Sequence, residues 1–176
     1  MERIMIIGCG GSGKSTLARQ LGEKTGLPVI HLDRIFWTPG WVHISREEFD
    51  RRHEAVLSGE KWIVDGNFDR TIPVRLQYCD TAIYLDYNRL TCLLGVLKRV
   101  LTTYGTVRPD MGDGCPERFD WDFLKWVWNF NKEKRERNYR LLKETPNVRV
   151  LIFRKRRQLR KFLKGLETVD NRFSLP

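Results

Sequence analysis

Gly8-Cys9-Gly10-Gly11-Ser12-Gly13-Lys14-Ser15 follows directly on the apolar run Ile4-Met5-Ile6-Ile7, and Thr16, Leu17 and Ala18 carry the chain into helix-forming residues. A strand, a glycine loop and a helix start in that order suit a phosphate-binding turn. Glycines let successive backbone N–H groups converge on an anion, and the helix N-terminus adds unpaired donors of its own. Lysine and a hydroxyl residue after the last glycine complete the pattern G-x-x-x-x-G-K-[ST], the P-loop. Gly8, Gly10, Gly11, Ser12, Gly13, Lys14, Ser15 and Thr16 are therefore the expected nucleotide contacts, with Lys14 on the β- and γ-phosphates and Ser15 on Mg²⁺. The same glycines also satisfy G-x-G-x-x-G, with Asp33 about 20 residues on, as in a dinucleotide site. Such a site has no use for Lys14 and Ser15, whereas a triphosphate site needs both.

At 176 residues the chain has the length of one domain with a full core. It is 41% apolar and 31% charged, and no stretch approaches the ~18 unbroken apolar residues of a membrane span, so a globular chain in the cytoplasm is expected. The N-terminus runs straight into a strand without a signal-peptide pattern. Cys9, Cys79, Cys92 and Cys115 show no C-x-x-C spacing, so neither a disulfide nor a zinc site is expected. The net charge of +10 favours a polyanionic ligand, and a nucleoside triphosphate and nucleic acid both qualify. Two basic runs, Lys132 to Arg140 and Arg154 to Lys164, read first as solvated helix faces and second as a nucleic-acid surface.

Working outward from the loop, the first helix should stop at Gly26, and Pro28-Val29-Ile30-His31-Leu32 should form a buried parallel strand. That strand delivers Asp33 to the sheet edge where ligands bind, placed to orient or deprotonate an acceptor. An acceptor region over about 33–60 begins with the aromatic-rich loop Arg34 to Ile44, in which Trp37 and Trp41 form either core or the acceptor wall. Ser45-x-x-Glu48 is a capping box that opens the next helix. Lys61 to Asp65 reads as a third strand, with Asp65 placed to hold Mg²⁺, and Arg70 beyond it suits an anionic acceptor group. Asp86, closing a fourth strand from Thr81, is the second candidate for the metal.

Helical spacing resumes from Arg89 to Tyr104 and again from Trp121 to Leu142. The segment 105–120 between them has no apolar period and reads as a hinged lid whose Arg108 and Arg118 neutralise transferring charge. A fifth strand over Val148 to Phe153 puts Arg154 and Lys155 at the nucleotide edge; a last helix over about 157–166 and a loose tail over 167–176 follow. Five strands alternating with helices predict a three-layer α/β fold, a five-stranded parallel sheet with helices on both faces.

Over nearly its whole length the chain resembles small P-loop kinases of the adenylate kinase and shikimate kinase type. Val64-Asp65-Gly66-Asn67-Phe68-Asp69-Arg70-Thr71 is similar to the Asp-Gly-Phe-Pro-Arg-Thr motif of nucleoside monophosphate kinases, with one residue inserted and the proline missing. The resemblance implies Asp65 beside Mg²⁺, Arg70 on an acceptor phosphate, and the adenine of ATP between Arg99 and either Arg154 or Lys155. More narrowly, residues 10–19, His31-Leu32-Asp33, Pro39-Gly40-Trp41, Arg108-Pro109-Asp110-Met111 and Gly114-Cys115-Pro116-Glu117 resemble the FlaR-like group labelled DNA topology modulation protein. That label implies an effect on supercoiling, but nothing in the chain resembles a topoisomerase site or a helix-turn-helix. The expected activity is phosphoryl transfer from Mg-ATP to a small acceptor (a nucleotide, nucleoside or hydroxyl metabolite), with Lys14, Asp33, Arg108 and Arg118 catalytic. A nucleotide-dependent DNA-binding regulator and an ATPase without a small acceptor are the alternatives.

Overall fold

Ile4, Met5, Ile6 and Ile7 are all fully buried, because the strand that carries them lies at the centre of the sheet. The computed structural model describes residues 1–173, with side chains to residue 166. In chain order its elements begin β1 (Arg3–Gly8), α1 (Lys14–Thr25), β2 (Val29–His31), α2 (Leu32–Phe36), β3 (Trp37–Thr38), β4 (Val42–His43), α3 (Arg46–Leu57) and β5 (Trp62–Asp65). They continue through a 3₁₀ turn (Asp69–Thr71), α4 (Ile72–Tyr78), β6 (Thr81–Leu85), α5 (Arg89–Thr103), α6 (Trp121–Lys143), β7 (Arg149–Phe153) and α7 (Arg156–Phe173). The main sheet runs β2-β5-β1-β6-β7, parallel throughout.

Strand alternation splits the apolar residues between two cores. Ile4, Ile6, Ile63 and Ile83 face α1, α5 and α6 through Leu17, Leu21, Val96 and Phe130, while Met5, Ile7, Val64 and Tyr84 face α3 and α4 through Phe49, Leu57 and Leu76. A sheet covered on both faces needs continuous apolar strands, which is how β1 reads. Each such side chain contributes roughly 1.5–3 kcal/mol by leaving water. The predicted three-layer α/β fold is therefore the observed one.

Several local features differ from expectation. The segment Arg34 to Ile44 is not irregular: it holds most of α2 and the antiparallel β3–β4 hairpin, with Trp37 opposite His43. Capping follows the sequence at α3, where the Ser45 hydroxyl accepts from the Glu48 N–H at 3.1 Å. The stretch between β5 and β6 forms α4, with Pro73 in its first turn. Helix α7 runs to Phe173, beyond the stop near Leu166 that the pattern suggests; of the tail expected over 167–176, the side chains and residues 174–176 lie outside the described residues. Among the described residues no helix is long and apolar enough to cross a membrane.

Candidate active site

The chain leaves β1 for the outer strand β2, returns through β5, and crosses to β6 on the other side of β1. At the carboxyl ends of such strands lies the crevice where this class of sheet binds ligands. The P-loop occupies it. Helix α1 begins at Lys14 with Gly13 as N-cap and no side-chain cap, so its first-turn N–H groups are open to a ligand. Among the described residues Lys14 Nζ donates only to the Cys9 carbonyl, at 3.1 Å. The Ser12 hydroxyl is buried without a hydrogen-bond partner among the described residues. Unpaired donors converging on one small volume suit a phosphate group.

Helix α5 supports the loop from behind. A Cβ on Gly11, whose φ is +73°, would meet the Cys92 carbonyl at 2.2 Å, and one on Gly95 would meet the Gly11 carbonyl at 2.1 Å. The helix and the loop touch backbone to backbone. Gly95→Ala is therefore expected to cost about 1–3 kcal/mol by overpacking and to lower the melting temperature by roughly 3–10 °C. It should also weaken ATP binding, because the methyl can be accommodated only by moving the loop; thermal melts with and without MgATP measure both effects.

In front of the loop lies a cavity of about 1200 Å³. Lys14, Ser15 and Asp33 line its floor; Phe36, Trp37, Trp41 and Phe68 line one wall; Arg99, Arg108 and Arg118 line the roof. Trp37 and Trp41 are thus wall rather than core, and their rings meet edge to face at 5.6 Å. Two of the wall residues, Trp41 at φ 63° and Phe68 at φ 38°, hold left-handed backbone that large side chains avoid, a strain that clusters at functional sites. Asp33 sits in the first turn of α2, immediately after β2. Burial raises its carboxyl above the usual aspartate range, Lys14 and Arg108 pull it back, and the neighbouring Asp65 and Asp110 push it up again.

Asp65 ends β5 beside His31, its register partner on β2. His31 Nδ1 lies 2.5 Å from Asp65 Oδ1, which leaves the second carboxylate oxygen for other work. Asp86 is engaged elsewhere. Its buried side chain accepts from Arg135 Nη2 at 2.8 Å and the Tyr139 hydroxyl at 2.8 Å, with Arg154 Nε at 3.8 Å. Both candidate metal acids close strands that flank β1, but Asp86 is taken up by Arg135 and Tyr139, whereas the charge of Asp65 acts directly on Asp33.

The segment 105–118 is docked on the hairpin rather than free. Gly40 N–H donates to the Gly114 carbonyl at 3.0 Å, Cys115 Sγ to the Thr38 carbonyl at 3.0 Å, and Trp41 Nε1 to the Pro116 carbonyl at 3.2 Å. Its arginines are not bare cations. Glu117, buried, accepts from Arg99 Nε at 3.1 Å and Arg108 Nε at 2.8 Å, and Asp110 accepts from Arg108 Nη1 at 2.5 Å. Burial alone would push the Asp110 carboxyl up; the charge of Arg108 and the Ser15 hydroxyl outweigh it, and the group lies below the usual range. Arg118 is the freer cation, 3.8 Å from Asp120 and stacked 5.0 Å over the Trp41 ring.

Three expected contacts are not brought to the cavity. Arg70 forms a forked pair with Asp50 of α3 at 2.8 and 2.5 Å on the exposed surface. Arg154 lies on Tyr139 and Asp86, and the Lys155 backbone N–H caps against Gln158, both away from the wall. The basic residues that do line the cavity from α7 are Arg156 and Arg160, with Arg19 of α1 and Lys98 of α5. Sequence reasoning also missed the roles of Asp110 and Glu117, although four acids against two arginines over 105–120 were the signal. Arg75 is a further omission: wholly buried, it donates to the Gly66 carbonyl at 2.8 Å and to the Asn67 carbonyl, bracing the loop after Asp65.

No protein-family model matches the sequence, and no curated protein matches it. Solved structures do match in fold. A shikimate kinase from Acinetobacter baumannii in complex with shikimate superposes with a TM-score of 0.57 at 15% identity, over 100% of this chain and 96% of that one. A shikimate kinase from Bacteroides thetaiotaomicron gives 0.53 at 14% identity, over 97% and 98%. The chain shares the three-layer α/β fold of these kinases.

Proposed function

We propose that the protein is an ATP-dependent phosphotransferase acting on a small acceptor that carries a hydroxyl group. The observation that carries this reading is one cavity shared by an open phosphate loop and a carboxylate, Asp33, for which no hydrogen-bond partner is found among the described residues. At about 1200 Å³ the cavity exceeds the ~300–1,000 Å³ of ordinary single-ligand pockets, so a nucleotide and an acceptor fit together. That a solved structure of the same fold holds shikimate supports a small acceptor.

Lys14 and the loop amides would hold the β- and γ-phosphates, and Asp33 would orient the acceptor hydroxyl and take its proton as the new O–P bond forms and the bond to ADP breaks. Arg118 supplies positive charge above the transferring group; Arg108, clamped between Asp110 and Glu117, mainly shapes the roof. For Mg²⁺ the fitting groups are the Ser15 hydroxyl and Asp65, the acid through water. Among the described residues no cluster of three or more ligands holds a metal unaided, which suits an ion that takes most of its ligands from phosphates and water. Held there, the ion would supply positive charge that offsets the phosphate charge gathered by Lys14 and the loop amides. Arg156 and Arg160 with Leu159 and Leu163 suit the base and ribose end.

The basic runs give the nucleic-acid reading less support. Lys134 and Arg137 lie on Asp69, Arg135 and Arg154 on Asp86, and Arg156 and Arg160 on the cavity wall, so these cations do not form one stripe. A screen of nucleosides, nucleotides and small hydroxyl compounds for acceptor-dependent ADP release tests the proposal. A rise in ADP over the acceptor-free rate is expected for one chemical class; steady hydrolysis indifferent to every acceptor would favour the bare ATPase instead.

A further inference from the structure

Helix α5 carries a second pattern on its outer face. Leu90, Leu94, Leu97 and Leu101 follow one another at intervals of four, three and four, and the exposed Tyr104 ends the helix just beyond them. This is the heptad spacing that keeps an apolar seam facing another helix. Among the described residues no helix covers it. Leu90 is 60% exposed, Leu94 66%, Leu101 84% and Tyr104 67%, while Cys92, Val96 and Val100 on the inner face are buried. Arg89 over the Trp128 ring and Arg99 over the Phe123 ring set α6 antiparallel alongside α5, which puts the 69%-exposed Trp121 beside the last turn of α5.

We propose that this face is where two copies of the chain associate, α5 against α5, in a symmetric dimer. Single exposed leucines are ordinary on a protein surface, but a continuous row is not. The four leucines with Tyr104 and Trp121 present on the order of 800 Å² of apolar side chain, about what each partner contributes to a standard stable interface. Self-association is the occupant that the spacing itself favours, since a two-fold axis lets one seam serve both sides. With the helices antiparallel, the arrangement in which their macrodipoles attract, Leu94 packs against Leu101 of the partner subunit and Leu97 lies next to the axis. The inner side of α5 bears on the P-loop through Gly95 and carries Arg99 to Glu117, so the dimer would brace the loop and the cavity roof from behind.

Light scattering at about 5–50 µM protein should give twice the chain mass, and Leu94→Glu with Leu101→Glu should give the monomer at the same concentrations, with helical circular dichroism unchanged. Independently, Leu94→Cys combined with Leu101→Cys should form a covalent dimer with oxidised glutathione. Seven helical residues span roughly 10 Å, beyond disulfide reach within one chain, so the bond must join two chains. The native cysteines are buried and free. A monomeric natural chain over the whole range, a dimer that survives both glutamates, or a cysteine pair that stays monomeric under oxidation would each overturn the proposal. So would recruitment of a monomeric chain to phosphatidylserine vesicles through the same leucines.

Discussion

Lys14→Met is expected to lower acceptor-dependent turnover by about 10²–10³-fold, the effect of deleting one preorganised donor to developing charge. The fold should survive. Lys14 is the first residue of α1, and among the described residues its side chain makes a single hydrogen bond, to the Cys9 carbonyl, a contact that an incoming phosphate would replace. Methionine keeps most of the aliphatic stem, and Asp33, which loses the balancing charge of Lys14, retains that of Arg108. Circular dichroism and the melting temperature should therefore match the parent, while the loss appears mainly in kcat, because the γ-phosphoryl oxygens gain their full charge separation only in the transition state. Direct titration with ATP separates the two terms: a modest weakening of affinity beside a large loss of rate is the predicted combination. Undiminished turnover would remove Lys14 from the mechanism.

The residues whose position in the fold agrees with the sequence reading share one property: their geometry is imposed by neighbours in the chain. The P-loop is of this kind, since its glycines, Lys14 and Ser15 are fixed relative to one another by one turn and one helix start. Strand ends are nearly as legible, which is how Asp33 and Asp65 were found at the ligand edge. What failed depended on partners distant in sequence. Arg70 looks like a free anion binder until α3 brings Asp50 against it. Arg154 and Lys155 were chosen for their place after β7, but Arg156 and Arg160 of α7 line the cavity instead. The segment 105–120 lacks an apolar period and so reads as a hinged lid with Arg108 and Arg118 as its charges; in the fold Glu117 and Asp110 are buried as the counter-charges of Arg99 and Arg108. The His31–Asp65 contact was within reach, since both residues close adjacent parallel strands, but it required the strand order.

Asp33→Asn separates function from stability with opposite signs. Turnover should fall about 10²–10⁴-fold, the usual contribution of a positioned general base, because an amide cannot take the hydroxyl proton. Stability at neutral pH should rise. Burial, the first cause, with Asp65 and Asp110 beside it, raises the folded-state carboxyl above its unfolded value despite Lys14 and Arg108. Between those two values the folded chain binds more protons than the unfolded one, so the contribution of Asp33 is fully present below the unfolded pKa and is lost as pH rises through the folded one. Asparagine removes that dependence. Denaturant unfolding of parent and variant across the acid range should show curves that diverge as pH rises, with the variant the more stable on the neutral side. The parent's activity should in turn show an acid limb above the usual aspartate range that the variant's residual activity lacks. Equal turnover would take Asp33 out of the chemistry; unequal turnover with parallel stability curves would leave its catalytic role intact and deny that it is held ionised at a cost.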